Sequence, residues 1–195
     1  MLIWMCALHC EAKPVIDFYR LKKNPVKTDF DLYSNNNISC IVSGMGANKM
    51  IRAIQWGNNL FQQQHKISWI NLGIAGHKSL PVGTAVLIKQ ASLSGNTEIL
   101  ETQTEIKHHF ESKSIISILR ENTDYNDDYL FDMEAHAFFK ITSKLSPPEQ
   151  CQSIKIISDN SETAPTRSKE KISNFISGNM KNISEFAQNL QGSTG

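Results

Sequence analysis

The sequence predicts an α/β fold around a mostly parallel or mixed sheet. Three observations predict it. Short apolar runs alternate with stretches of helical spacing along the chain. The interiors of those runs are apolar throughout, the pattern of strands buried on both faces. And 195 residues with 40% hydrophobic content suffice for one domain with a sizeable core, expected to span residues 1–190 ahead of a frayed tail at 191–195.

Each element follows in order. Residues 2–8 are a continuous apolar run, the first buried strand, and residues 15–21 have helical spacing. Residues 28–33 alternate, with Phe30 and Leu32 on one face, and predict a strand. Residues 39–42 predict a second buried strand that ends in Ser43-Gly44-Met45-Gly46. Met50, Ile51, Ile54 and Phe61 then mark an amphipathic helix. Residues 67–72 form a strand ending in a turn, Gly73-Ile74-Ala75-Gly76, and residues 84–93 another, entered through Pro81-Val82-Gly83. Residues 110–119 and 135–141 are expected to be helical, and residues 153–157 a short strand. The polar segment 160–171 reads as a flexible loop. Ile172, Phe175, Ile176, Ile183, Phe186, Ala187 and Leu190 trace one long C-terminal helix.

Composition excludes several functions. Twenty basic and nineteen acidic residues leave a net charge of +1 with no basic stripe, so no nucleic-acid partner is expected. The one local excess, Lys22-Lys23 with Lys27, reads as a solvated loop. No apolar run approaches the ~20 residues of a membrane span, and residues 1–8 lack the basic flank of a signal peptide. Cys6, Cys10, Cys40 and Cys151 lack zinc-site spacing, and His108-His109 is a weak metal hint. The expectation is a cytoplasmic, reduced protein without metal or cofactor.

In such sheets ligands sit at the carboxyl ends of strands. Glu11, the two glycine-containing turns and Asp159 all fall at or just after such ends, and Met133-Glu134 opens the helix after Asp132. Glycines at 44, 46, 73 and 76 permit positive φ and close approach of backbone to a ligand, but equally make ordinary tight turns. The carboxylates also have structural alternatives. Glu11 and Glu134 suit the N-terminal ends of helices, and Asp159 suits an Asx-type cap.

A resemblance carried by the motifs favours the catalytic reading of these carboxylates. Ala7-Leu8-His9-Cys10-Glu11, Val42-Ser43-Gly44-Met45-Gly46, Ile70-Asn71-Leu72-Gly73-Ile74-Ala75-Gly76 with Val82-Gly83, Met133-Glu134 and Ser158-Asp159 occur in that order over nearly the whole chain. This series resembles the nucleoside phosphorylase/nucleosidase superfamily, and most closely its methylthioadenosine/S-adenosylhomocysteine nucleosidases. The resemblance implies a three-layer phosphorylase/hydrolase-like fold, a central mixed sheet flanked by helices. It implies a purine nucleoside N-ribosidase in which Glu11 orients water, Glu134 holds the ribose hydroxyls and Asp159 protonates the base. Ser43, Gly44, Gly73, Ala75, Gly76, Met133 and Ser158 would contact the substrate. The implied partners are a small-molecule nucleoside and further copies of the chain in a homo-oligomer.

The residue types suit that chemistry. Cleaving an N-ribosidic bond leaves an oxocarbenium-like sugar that needs negative charge nearby, and a base that needs a proton. Carboxylates in different environments supply both, and a third orients water. Phosphorylases of the superfamily carry an Arg where this chain has Asn71, and a hydroxyl where it has Ile74. Neither replacement suits a phosphate dianion, so water is the expected nucleophile. Lys49 and Arg52 lie on the following helix and are expected to face solvent. The alternatives are a phosphate-dependent phosphorylase and a catalytically weak nucleoside-binding module. The family's base-stacking aromatic has three candidates, Tyr125, Tyr129 and Phe131.

Overall fold

A computed structural model describes residues 1–25, 29–64, 66–104, 106–119, 125 and 127–192. In chain order the elements are β1 (Leu2–Cys6), α1 (His9–Tyr19), β2 (Lys22–Lys23), β3 (Asp31–Ser34), β4 (Ile38–Val42) and α2 (Ala47–Leu60). They continue with β5 (Ser68–Gly76), β6 (Ala85–Leu93), β7 (Ile99–Glu101), β8 (Glu111–Ser117), β9 (Leu130–Asp132) and α3 (Ala135–Thr142). A 3₁₀ turn (Pro148–Gln150), β10 (Cys151–Asp159), α4 (Lys169–Ser177) and α5 (Met180–Gly192) complete the described chain. Thr28 of the strand predicted over 28–33, Lys27 of the basic cluster and tail residues 193–195 lie outside the described residues.

The strands form one mixed sheet in the order β10-β6-β8-β9-β5-β1-β4-β3-β2, with β7 on the edge of β6. Strand β10 also pairs with β5, so β5, β10, β6, β8 and β9 close on themselves. The closure is completed by a single pair, Gly76 opposite Phe131. Three central strands, β1, β5 and β10, run parallel, which brings Cys6, Gly76 and Asp159 to the same edge.

Each central strand is buried on both faces. Leu2, Trp4 and Cys6 of β1 enter a core completed by α1, α4 and α5, whereas Ile3 and Met5 enter a second core under α2 and α3. This is the arrangement of helix, sheet and helix that apolar strand interiors require. All four cysteines are buried and free. Among the described residues no helix is long and apolar enough to cross a membrane.

Several expectations are corrected. The predicted helix over 110–119 is strand β8, because Ile115 and Ser117 alternate inward and the segment is anchored between β6 and β9. The single C-terminal helix is two, α4 and α5. The break at Gly178–Asn179 is pinned by Asn179, whose amide donates to the Gly83 carbonyl at 2.8 Å. The first helix begins at His9, so Glu11 stands in its first turn. Residues 73–76 are not a turn; they continue β5, and positive φ occurs at Gly44 and Gly46 but not at Gly73 or Gly76. Asp159 ends β10 rather than capping a loop, and the Asx role falls to Asn160, whose Oδ1 accepts from the Glu162 and Thr163 amides.

Candidate active site

The carboxyl edge of the central strands opens into a cavity of about 1080 Å³. Glu11, Glu134 and Asp159, which come from three separate elements, all line it.

Glu11 is placed by the turn from β1 into α1. Its Oε2 accepts from the Leu8 amide at 2.8 Å, the local bond of a helix start, and its Oε1 accepts from the Ile74 amide on β5 at 3.0 Å. The helix-start role and the cavity position therefore coexist. A side chain at Gly73 is excluded, since a Cβ there would lie 2.9 Å from Glu11 Oε1 and 3.4 Å from Lys155 Nζ. Gly73 is thus needed for close approach, not for an unusual backbone angle. Burial pushes the Glu11 carboxyl up, while the Lys155 ammonium and the Leu8 and Ile74 amides work against it.

Glu134 precedes α3 and makes no capping bond to it; Asp132 does that, accepting from the Ala135 amide at 2.9 Å. Glu134 Oε1 instead accepts from the Gly46 amide at 2.6 Å, at the start of α2. The left-handed conformations of Gly44 and Gly46, at φ 81° and 98°, let the loop after β4 present that amide. Burial, then the neighbouring Asp132 charge, raises Glu134 to about 7, against the pull of Lys155 and the Gly46 amide.

Asp159 sits where β10 bulges against β5. The register passes from Ile157 opposite Ala75 to Asp159 opposite Gly76, which leaves Ser158 unpaired and brings both residues to the cavity. The Ser158 hydroxyl donates to Asp159 Oδ1, and the Tyr125 hydroxyl donates to Oδ2. Gly76 is confined by the same group, since a Cβ there would lie 2.7 Å from Asp159 Oδ2.

Of the predicted contact residues, Ala75, Gly76, Met133 and Ser158 line the cavity, whereas Ser43, Gly44 and Gly73 do not. The Ser43 hydroxyl is turned inward, 2.9 Å from the Gly44 carbonyl and 3.3 Å from the Cys6 carbonyl, either of which its one proton can reach. Asn71 is buried within the sheet, donating to the Met5 carbonyl and accepting from Ser153. Ile74 does line the cavity. Lys49 is exposed, and Arg52 pairs with Asp29 at the surface. Of the aromatic candidates, Tyr125 and Phe131 line the wall, their rings 5.7 Å apart, and Tyr129 does not.

Sequence reasoning missed Lys155. It is 1% exposed and pairs with Asp132 at 2.9 Å. Burial disfavours its charge, but Asp132 and Glu134 overcome this and hold the ammonium above its usual range. The signal was a lysine inside an otherwise apolar run, Ile154-Lys155-Ile156-Ile157. A buried charge persists only with partners, and here those partners are the carboxylates of the site.

The fold so built, a mixed sheet with helices on both faces and acidic groups at its carboxyl edge, is the nucleoside phosphorylase/nucleosidase-type fold. The chain is similar to the methylthioadenosine nucleosidase MTAN from Chlamydia trachomatis, at 22% identity and a TM-score of 0.70 over 95% of this chain and 98% of that one. It is also similar to Arabidopsis thaliana 5′-methylthioadenosine nucleosidase (14% identity, TM-score 0.73, 98% and 96% covered). A third similar structure is Helicobacter pylori futalosine hydrolase (14% identity, TM-score 0.69, 98% and 97% covered). No family model matches the chain, and no curated protein matches it by sequence.

Proposed function

We propose that this protein is a hydrolytic purine nucleosidase that cleaves the N-ribosidic bond. The observation that carries the reading is the convergence of Glu11, Glu134 and Asp159 on one cavity, with the buried Lys155 ammonium paired to Asp132 and felt by Glu11 and Glu134. The similar structures include nucleosidases, one of them bound to MTA, which supports a nucleoside as substrate.

The roles follow from the contacts. Glu11 already accepts two amide bonds, which fix its carboxylate, and its remaining lone pairs accept a proton from water. Glu134, held by the Gly46 amide, accepts the ribose hydroxyls and stabilises positive charge on the sugar. Its ionised form is favoured as that charge grows. Asp159, at the other wall, delivers the proton that lets the base leave. Phe131 stands beside the base site, and the cavity's outer wall, with Arg167, Lys169 and Asn174, receives the 5′ substituent.

Phosphate is disfavoured as the nucleophile. A dianion at the inner end would face Glu11, Asp132 and Glu134, and the one buried cation there among the described residues is already paired. Asn71 points into the sheet and Ile74 offers only a butyl group. A neutral water enters this environment without that repulsion. A homo-oligomer also belongs to this reading.

The test is a panel of 5′-methylthioadenosine, S-adenosylhomocysteine, futalosine and adenosine, with released base separated by chromatography. Release from at least one, abolished in Glu11→Gln, is expected. A folded protein that releases base from none of them contradicts the proposal.

A further inference from the structure

Both oxygens of Asp159 are engaged within the protein. Ser158 donates to Oδ1 and Tyr125 to Oδ2. Each oxygen keeps a second lone pair, but a purine edge that meets the carboxyl at Oδ2 must share that oxygen with the Tyr125 hydroxyl and the ring behind it. Ser158 cannot leave, because it is buried and is the preceding residue of the same strand. Tyr125 lies outside every strand and reaches Asp159 through the length of its ring. Its ring packs tightly over Gly76, where a Cβ would lie 2.6 Å from Tyr125 Cζ. The tyrosine is 8% exposed, its ring tilted at 37° against Phe131.

We propose that Tyr125 is an internal competitor of the base. Its hydroxyl holds the carboxyl oxygen that a purine requires, so binding a base requires the tyrosine to yield by a side-chain rotation. This rests on the nucleosidase reading and adds a residue that sets the affinity for the base without taking part in the chemistry. A base too weak to replace a phenol–carboxylate bond is rejected, which makes Tyr125 a determinant of specificity.

The experiment compares wild type, Tyr125→Phe and, as a control, Tyr129→Phe, whose hydroxyl lies outside the cavity. Adenine is titrated by calorimetry, and kcat and KM are measured with 5′-methylthioadenosine. A hydrogen bond to a charged group is worth about 10–100-fold in an equilibrium. Tyr125→Phe is therefore expected to bind adenine about tenfold more tightly and to lower KM. Tyr129→Phe should match wild type. Equal or weaker adenine binding by Tyr125→Phe overturns the inference while leaving the nucleosidase reading standing. So does a fall in kcat of ~10²-fold, which would put the hydroxyl in the proton transfer itself. Folded wild-type and variant proteins that neither bind adenine nor cleave the nucleoside would overturn both.

Discussion

Replacing Glu134 by Gln should stabilise the fold at alkaline pH while removing activity. The side chain is 7% exposed residue-wide and accepts the Gly46 amide through Oε1, a bond that the Gln carbonyl oxygen retains. What Gln removes is the ionisation. The folded carboxyl titrates at about 7 against an ordinary value of 4.5, chiefly because of burial and then the Asp132 charge. An acid with a raised folded pKa binds more protons folded than unfolded. Its penalty is therefore absent below pH 4.5, grows as pH rises, and is complete above about 7. At about 1.4 kcal/mol per unit, the span corresponds to on the order of 3 kcal/mol. For a chain of this size that is roughly 6–12 °C in Tm. Thermal unfolding of both proteins should give similar Tm values near pH 4.5 and a higher value for Glu134→Gln at pH 8. A variant no more stable than wild type at pH 8, with cleavage intact, would refute this reasoning.

The other predictions concern the remaining groups. Asp159→Asn should fold normally and lose ~10²–10⁴-fold in turnover on a natural nucleoside, since the amide cannot deliver a proton. A nitrophenyl riboside, whose leaving group departs unprotonated, should partly rescue Asp159→Asn but not Glu134→Gln. Lys155→Met should destabilise by about 3–5 kcal/mol near pH 8, because it takes the buried cation from Glu11 and Glu134, and by less near pH 5, since burial already favours the protonated form of both; denaturant titration at the two pH values checks it. Light scattering of active protein should give the mass of a dimer or larger assembly, and a monomer mass would remove that expectation.

What was legible in the sequence was what short-range pattern determines. Continuous apolar runs gave β1, β4, β5 and β10, and Met133-Glu134 and Ser158-Asp159 marked the ends where side chains reach a cavity. The misreadings came from tertiary context. Residues 111–117 are a strand because neighbours on both sides supply partners, which no local spacing reports. The C-terminal break depends on Asn179 reaching Gly83 across 96 residues. The glycines at 73 and 76 looked like turn residues, yet their smallness answers to Glu11 and Lys155 at the first and to Tyr125 and Asp159 at the second, whose side chains approach β5. Lys155 was passed over because an isolated lysine in a strand says nothing of the carboxylates folded onto it.

The central claim is that water attacks the sugar. The most direct measurement is single-turnover cleavage of 5′-methylthioadenosine in ¹⁸O-labelled water, with and without added phosphate, the sugar product being weighed by mass spectrometry. The account predicts one labelled oxygen on the sugar, free adenine, and the same rate in both buffers. An unlabelled ribose 1-phosphate that forms only when phosphate is present would contradict it.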